Sequence, residues 1–165
     1  MGKAEEKTGG QDPSVGGELQ AITFSIPSRL ELLPVLDRLV QGIAEQMDFE
    51  EDDADAIAIS VIEAGTNAIQ HGHRKDPSKT VQFRFDLYPD HLLVQVQDSG
   101  PGFDPNTALG SDPTSAEDLM RSSGRGIFIM RQMMDQVDFQ FGPEEGTSVL
   151  LRKTKRVNGH GADTS

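Results

Sequence analysis

Ile57-Ala58-Ile59-Ser60-Val61-Ile62-Glu63-Ala64-Gly65-Thr66-Asn67-Ala68-Ile69-Gln70-His71-Gly72 is the stretch on which the reading of this chain turns. On a helical wheel at about 100° per residue, Ile57, Ala68, Val61, Gly65 and Ile69 fall within about 120° and make a stripe suited to a core. Glu63, Asn67, Ser60 and His71 gather within about 80° of one another on the adjoining face. Glu63 and Asn67 stand four apart, so their side chains can converge on one ligand. A carboxylate can act as a general base, and an amide oxygen can ligate a hard cation such as Mg²⁺. The plainer alternative is a solvated face, because Glu is a good helix former; Asn in mid-helix carries a propensity cost. Upstream, Glu50-Glu51-Asp52-Asp53 puts acids where a helix N-terminus favours them. Gly72 marks the stop.

Strands flank this helix. Val81, Phe83, Phe85 and Leu87 alternate with Gln82, Arg84 and Asp86, the period of a half-buried strand. Pro89-Asp90 turns the chain into a second strand carrying Leu92, Val94 and Val96 in phase. Before the helix, Leu19–Ile26 reads as a strand ending at Pro27. Ser28 is placed to cap a helix reaching to about Met47, with Pro34 delaying its start or kinking its first turns. Residues 103–123, rich in Asp, Ser, Pro and Thr, read as a long connection, functional or disordered. A helix from Gly126 to about Asp135 and strands at about 137–141 and 147–152, joined by Pro143–Gly146, complete the order β-α-α-β-β-loop-α-β-β. The expected class is α+β: a two-layer sandwich, mostly antiparallel sheet with helices on one face.

Composition bounds the rest. The 165 residues fit one domain, expected over 18–155, with Gly-rich polar tails at 1–17 and 156–165 too poor in apolar surface to order themselves. With no cysteine, disulfide frameworks, thiolate metal sites and cysteine nucleophiles are excluded. A formal net charge of −12 argues against general binding to nucleic acid or to anionic membranes. No apolar run reaches the roughly 20 residues of a membrane span, and the first residues lack a signal peptide's apolar stretch. A cytoplasmic protein is the expectation.

Three further signals surround the helix. The two-residue period puts Asp98 on the inward face just past the second strand, where an unpaired carboxylate is costly. Asp98-Ser99-Gly100-Pro101-Gly102 then lets backbone approach a flat ligand, or is simply a capped turn. Gly124-Arg125-Gly126 opens a helix, where backbone N–H groups bind anions, or serves as a hinge. Gly146-Thr147 either offers a hydroxyl to a ligand or begins a strand.

In this order, and on elements of these types, the four signals resemble the histidine-kinase-like ATPase family. Glu63–Asn67 looks like its N box, Asp98–Gly102 and Gly124–Gly126 its glycine boxes, and Gly146-Thr147 its final motif, over about residues 20–153. Asn67-Ala68-Ile69-Gln70-His71-Gly72 on a stand-alone domain is similar to the bacterial anti-sigma-factor serine-protein kinases. No histidine precedes His71 to act as the phosphoacceptor of a sensor kinase. The resemblance implies Mg-ATP as phosphoryl donor, a sigma factor as bound partner, and an antagonist protein as the substrate phosphorylated on Ser or Thr. It implies Glu63 as base, Asn67 as Mg²⁺ ligand, and Asp98 as acceptor from the adenine amino group. It further implies that Gly100 and Gly102 line the base and that Gly124–Gly126 contact phosphate, with Arg125 either a candidate for its charge or a solvated lid residue. The resemblance further implies that His71 and Thr147 stand at the same nucleotide site, unless His71 only caps the helix end, and that 103–123 form its lid. The resemblance also implies a homodimer paired through the side of the sheet away from the nucleotide. A sequestering ATP switch with little phosphotransfer and a stand-alone histidine-kinase module remain the rival readings.

Overall fold

The computed structural model describes residues 20–99, 124–142 and 146–157. The elements run β1 (Gln20–Pro27), α1 (Leu33–Gln46), α2 (Glu51–Asn67), β2 (Thr80–Leu87), β3 (His91–Gln97), α3 (Arg125–Met133), β4 (Gln136–Gly142) and β5 (Gly146–Thr154). The strands form one sheet in the order β1-β2-β3-β5-β4, and all four pairings are antiparallel. This is the expected α+β architecture. The lid segment 103–123, Gly100, Gly102 and most of the Pro143–Gly146 connection lie outside the described residues.

Alternation decides which face is covered. Val81, Phe83 and Phe85 of β2, Leu92, Val94 and Val96 of β3, and Val149 and Leu151 of β5 are buried on one side. The apolar stripes of α1 (Leu36, Val40, Ile43) and α2 (Ile57, Val61), continued by Ile69 just beyond it, join them in one core. Burying each such side chain contributes about 1.5–3 kcal/mol, enough for the periodic pattern to fix the layering. Phe24 lies against this layer, stacked on Phe83 at 5.2 Å and on Phe85 at 5.6 Å between ring centres. Thr23, Ser25, Gln82, Arg84, Gln95 and Gln97 line a shallow groove among β1, β2 and β3.

Two local readings need correction. Ser28 does not cap α1. A 3₁₀ turn (Leu30–Leu32) intervenes, and Pro34 sits in the first turn of the α-helix, where its missing N–H has no partner to lose. The second helix keeps α geometry only to Asn67, and Ala68–Gly72 form a π-helical turn. The acids opening α2 do more than face its dipole. Asp53 is 1% exposed, accepts from Arg156 Nη2 at 2.8 Å and pairs with Lys153 Nζ at 3.5 Å. Arg156, on the tail side of the expected boundary, thus straps the chain beyond β5 onto α2.

Candidate active site

The helix that carries Glu63 and Asn67 changes geometry at its end. Thr66 Oγ1 donates to the Ile62 carbonyl at 2.7 Å, a back-bond of the kind that loosens a helix. The π turn follows directly, a feature that recurs at functional sites. His73 N–H reaches the Ala68 carbonyl at 2.8 Å and Lys75 N–H the Ile69 carbonyl at 2.7 Å. Arg74 and Lys75 then take φ of 51° and 59°, the left-handed region that side chains seldom adopt.

Glu63, Asn67 and Gly126 meet where α3 crosses α2. A Cβ on Gly126 would lie 2.8 Å from Glu63 Oε2 and 3.5 Å from Asn67 Nδ2, so a side chain there would have to push the Glu63 carboxylate aside. Gly124 has open space around it, so its glycine answers to nothing among the described residues. Half-burial raises the Glu63 pKa above the ordinary carboxylate value, because desolvation disfavours the charged form. Asn67 is 5% exposed, and its Nδ2 has no hydrogen-bond partner among the described residues. An orphaned buried amide costs about 1–3 kcal/mol. Rotating the amide by half a turn exchanges its oxygen and nitrogen, so the side chain suits a cation ligand.

Asp98 forms a second cluster. It is 4% exposed and continues the inward phase of Leu92, Val94 and Val96. Its N–H donates to the Thr147 carbonyl at 3.0 Å, and Thr147 N–H donates to Asp98 Oδ1 at 3.3 Å. Gly146 holds φ at +76° with Asp98 backbone pressed against it, a place no side chain can occupy. Gly72, expected only to stop the helix, lies against the Asp98 carboxyl, where a Cβ would collide.

The sequence reading passed over His73. It is 2% exposed, and its Nε2 accepts from Ser99 N–H at 2.8 Å. That bond puts the ring proton on Nδ1, which donates to Ser28 Oγ at 2.5 Å. Burial lowers the His73 pKa, Asp98 and Asp76 oppose that shift, and Lys79 adds to it. A histidine in a turn obeys no periodicity, and only its position beside His71 and Gly72 could have drawn notice. His71 itself is half-buried in the π turn, and burial lowers its pKa too. Arg125 is exposed in the first turn of α3.

Residues 26–153, which span both clusters, match the family described as the histidine kinase-like ATPase domain. The chain belongs to this family. Its ATPase domain is similar to serine-protein kinase RsbW of Bacillus subtilis (strain 168), 31% identical over 146 residues, which cover 86% of this chain and 89% of that protein. Serine-protein kinase RsbW of Bacillus velezensis is 32% identical over 146 residues, with the same coverage. The Bacillus licheniformis protein of that name is 32% identical over 136 residues, covering 80% of this chain and 84% of its own. Among the described residues of this ATPase domain no helix is long and apolar enough to cross a membrane.

Proposed function

We propose that this protein is an ATP-dependent serine/threonine-protein kinase of the anti-sigma-factor type. It would bind a sigma factor and phosphorylate an antagonist protein. The observation that carries the reading is the meeting of the Glu63 carboxylate and the Asn67 amide over Gly126, one helical turn apart, in a domain whose relatives are named serine-protein kinases. The sigma factor and the antagonist come from the resemblance of the N-box sequence.

Glu63 would take the proton from the acceptor hydroxyl as that oxygen attacks the γ-phosphorus of ATP. The bond to the β,γ-bridging oxygen breaks, and ADP leaves with the electron pair. A raised pKa suits a base that must both accept and release a proton near neutrality. Asn67 would hold Mg²⁺ through its amide oxygen, and its orphaned buried amide fits that duty. Bound there, the ion would neutralise charge on the transferring phosphates, which need few protein ligands for it. Asp98, held by Thr147 and Gly146, would accept from the adenine amino group, and Gly126 would bring α3 backbone N–H groups towards phosphate. The roles of Gly100, Gly102 and Arg125 rest on the motif alone.

Incubation with labelled Mg-ATP and candidate antagonist proteins tests the reading. Acid-stable phosphoserine or phosphothreonine on the antagonist is the expected product. Acid-labile phosphohistidine, or nucleotide binding with no transfer, would move the protein to one of the rival classes.

A further inference from the structure

Ser99, which follows Asp98, is held by the side chain of His73. Ser99 N–H donates to His73 Nε2 at 2.8 Å, Ser99 Oγ lies 3.1 Å from the same nitrogen, and His73 Nδ1 is anchored on Ser28 at the end of β1. His73 in turn follows Gly72, whose backbone lies against the Asp98 carboxyl. The π turn and the residue that follows it therefore touch Asp98 and Ser99 in turn, Gly72 through its backbone and His73 through its imidazole. We propose that His73 is a positioning residue for nucleotide: by accepting the Ser99 N–H it fixes the Asp98–Ser99 backbone and so the aim of Asp98, and it does so only while its ring is neutral.

The direction of the effect follows from the donors. A neutral ring with its proton on Nδ1 offers Nε2 as an acceptor; in a protonated ring both nitrogens donate, so Nε2–H turns to Ser99 Oγ and the Ser99 N–H loses its acceptor. The groups facing the ring are Asp98 after β3, and Asp76 and Lys79 in the turn before β2. The two carboxylates favour the proton, while Lys79 and burial oppose it. Burial is the largest influence, so the ring stays neutral at pH 7. Below the lowered pKa, affinity for adenine nucleotide should fall about tenfold per pH unit, one proton being coupled to binding. Linkage is reciprocal, so bound nucleotide must lower the His73 pKa further. A phosphate acting only through its charge would raise it.

The inference rests on the reading of Asp98 as the adenine acceptor, and the experiment separates the two. In the full chain, the His73 ring is titrated by NMR with and without saturating Mg-ADP. ADP affinity is measured by calorimetry from pH 5.5 to 7.5 for the unaltered protein, His73→Gln, His73→Phe and Asp98→Ala. The expected results are a His73 pKa that falls on adding ADP and a loss of affinity as pH falls through that pKa. His73→Gln, whose amide oxygen can replace Nε2 as acceptor, should retain binding at pH 7.5 and flatten the acid limb relative to the unaltered protein. His73→Phe should bind at least threefold more weakly at pH 7.5. Should that variant fail to fold, the titration of the unaltered chain decides alone. A His73 pKa that ADP leaves unchanged or raises overturns the proposal, as does an identical acid limb in His73→Gln. If Asp98→Ala binds ADP normally, the nucleotide-site reading itself fails; if it loses ADP while the His73 pKa does not respond, only the positioning role does.

Discussion

Single carboxylates separate binding from chemistry in the proposed kinase. Asp98 would accept a charge-assisted hydrogen bond from the adenine amino group, worth about 1.5–3 kcal/mol, so Asp98→Ala should weaken ATP binding at least tenfold in calorimetry. Glu63→Gln should leave ATP affinity intact and slow phosphotransfer by roughly 10²–10⁴-fold, measured as labelled antagonist per unit time. Because the Glu63 pKa is raised, the pH–rate profile should fall off on its acid side above the range of an ordinary glutamate, and that limb should vanish in the Gln variant. Gly126→Ala tests the contact between α3 and the site. Its methyl would displace the Glu63 carboxylate, a movable side-chain end, so transfer should suffer more than the melting temperature does. His73 adds a stability term of definite sign. Its folded-state pKa is depressed, so as pH falls below about 6.5 the unfolded chain takes the proton first. Stability is complete above that point and is lost as pH falls through the folded value. Urea midpoints at pH 7.5 and 5.5 should diverge more for the unaltered protein than for His73→Gln.

Among the elements, those with a strong period were legible from the chain. The alternation of Val81–Leu87 and Leu92–Val96 fixed two strands and their buried face, and the same phase placed Asp98 inward. The wheel of 57–71 separated core from the Glu63/Asn67 face. What escaped notice was held by pairings that no period encodes. Ser28 has the composition of a cap, but it serves His73, forty-five residues away. The π turn depends on where the Ala68 and Ile69 carbonyls find donors, which the apolar spacing does not record. Asp53 looked like a helix-dipole acid, yet it is buried under Arg156 and Lys153, more than ninety residues along the chain. This strap makes its own forecast. Asp53→Ala removes the acceptor of a charged hydrogen bond and should cost about 2 kcal/mol in urea denaturation. Arg156→Ala should cost less, and in the double variant the two losses should be less than additive, since each removes the same bond.

For the whole molecule, the sheet order sets which surfaces remain for partners. β1 is an edge strand, and among the described residues its outer side is unpaired. Beside it, Thr23, Ser25, Gln82, Arg84, Gln95 and Gln97 border a groove of about 470 Å³ on the sheet. An open edge next to a polar face suits pairing with a second copy, as the family resemblance implies. Light scattering at micromolar concentration should report a dimer with or without ATP, and a monomer would count against it. The same strand order governs how the molecule is made. β5 lies between β3 and β4, although β4 precedes it in the chain. During synthesis β1, β2 and β3 can pair as they leave the ribosome, but the far side of β3 must wait for Gly146, about 50 residues after Gln97. At roughly 5–20 residues per second that interval lasts about 2–10 s. Throughout it Val94 and Val96 border an open ladder, which leaves the nascent chain exposed to wrong edge pairing until β5 takes its place.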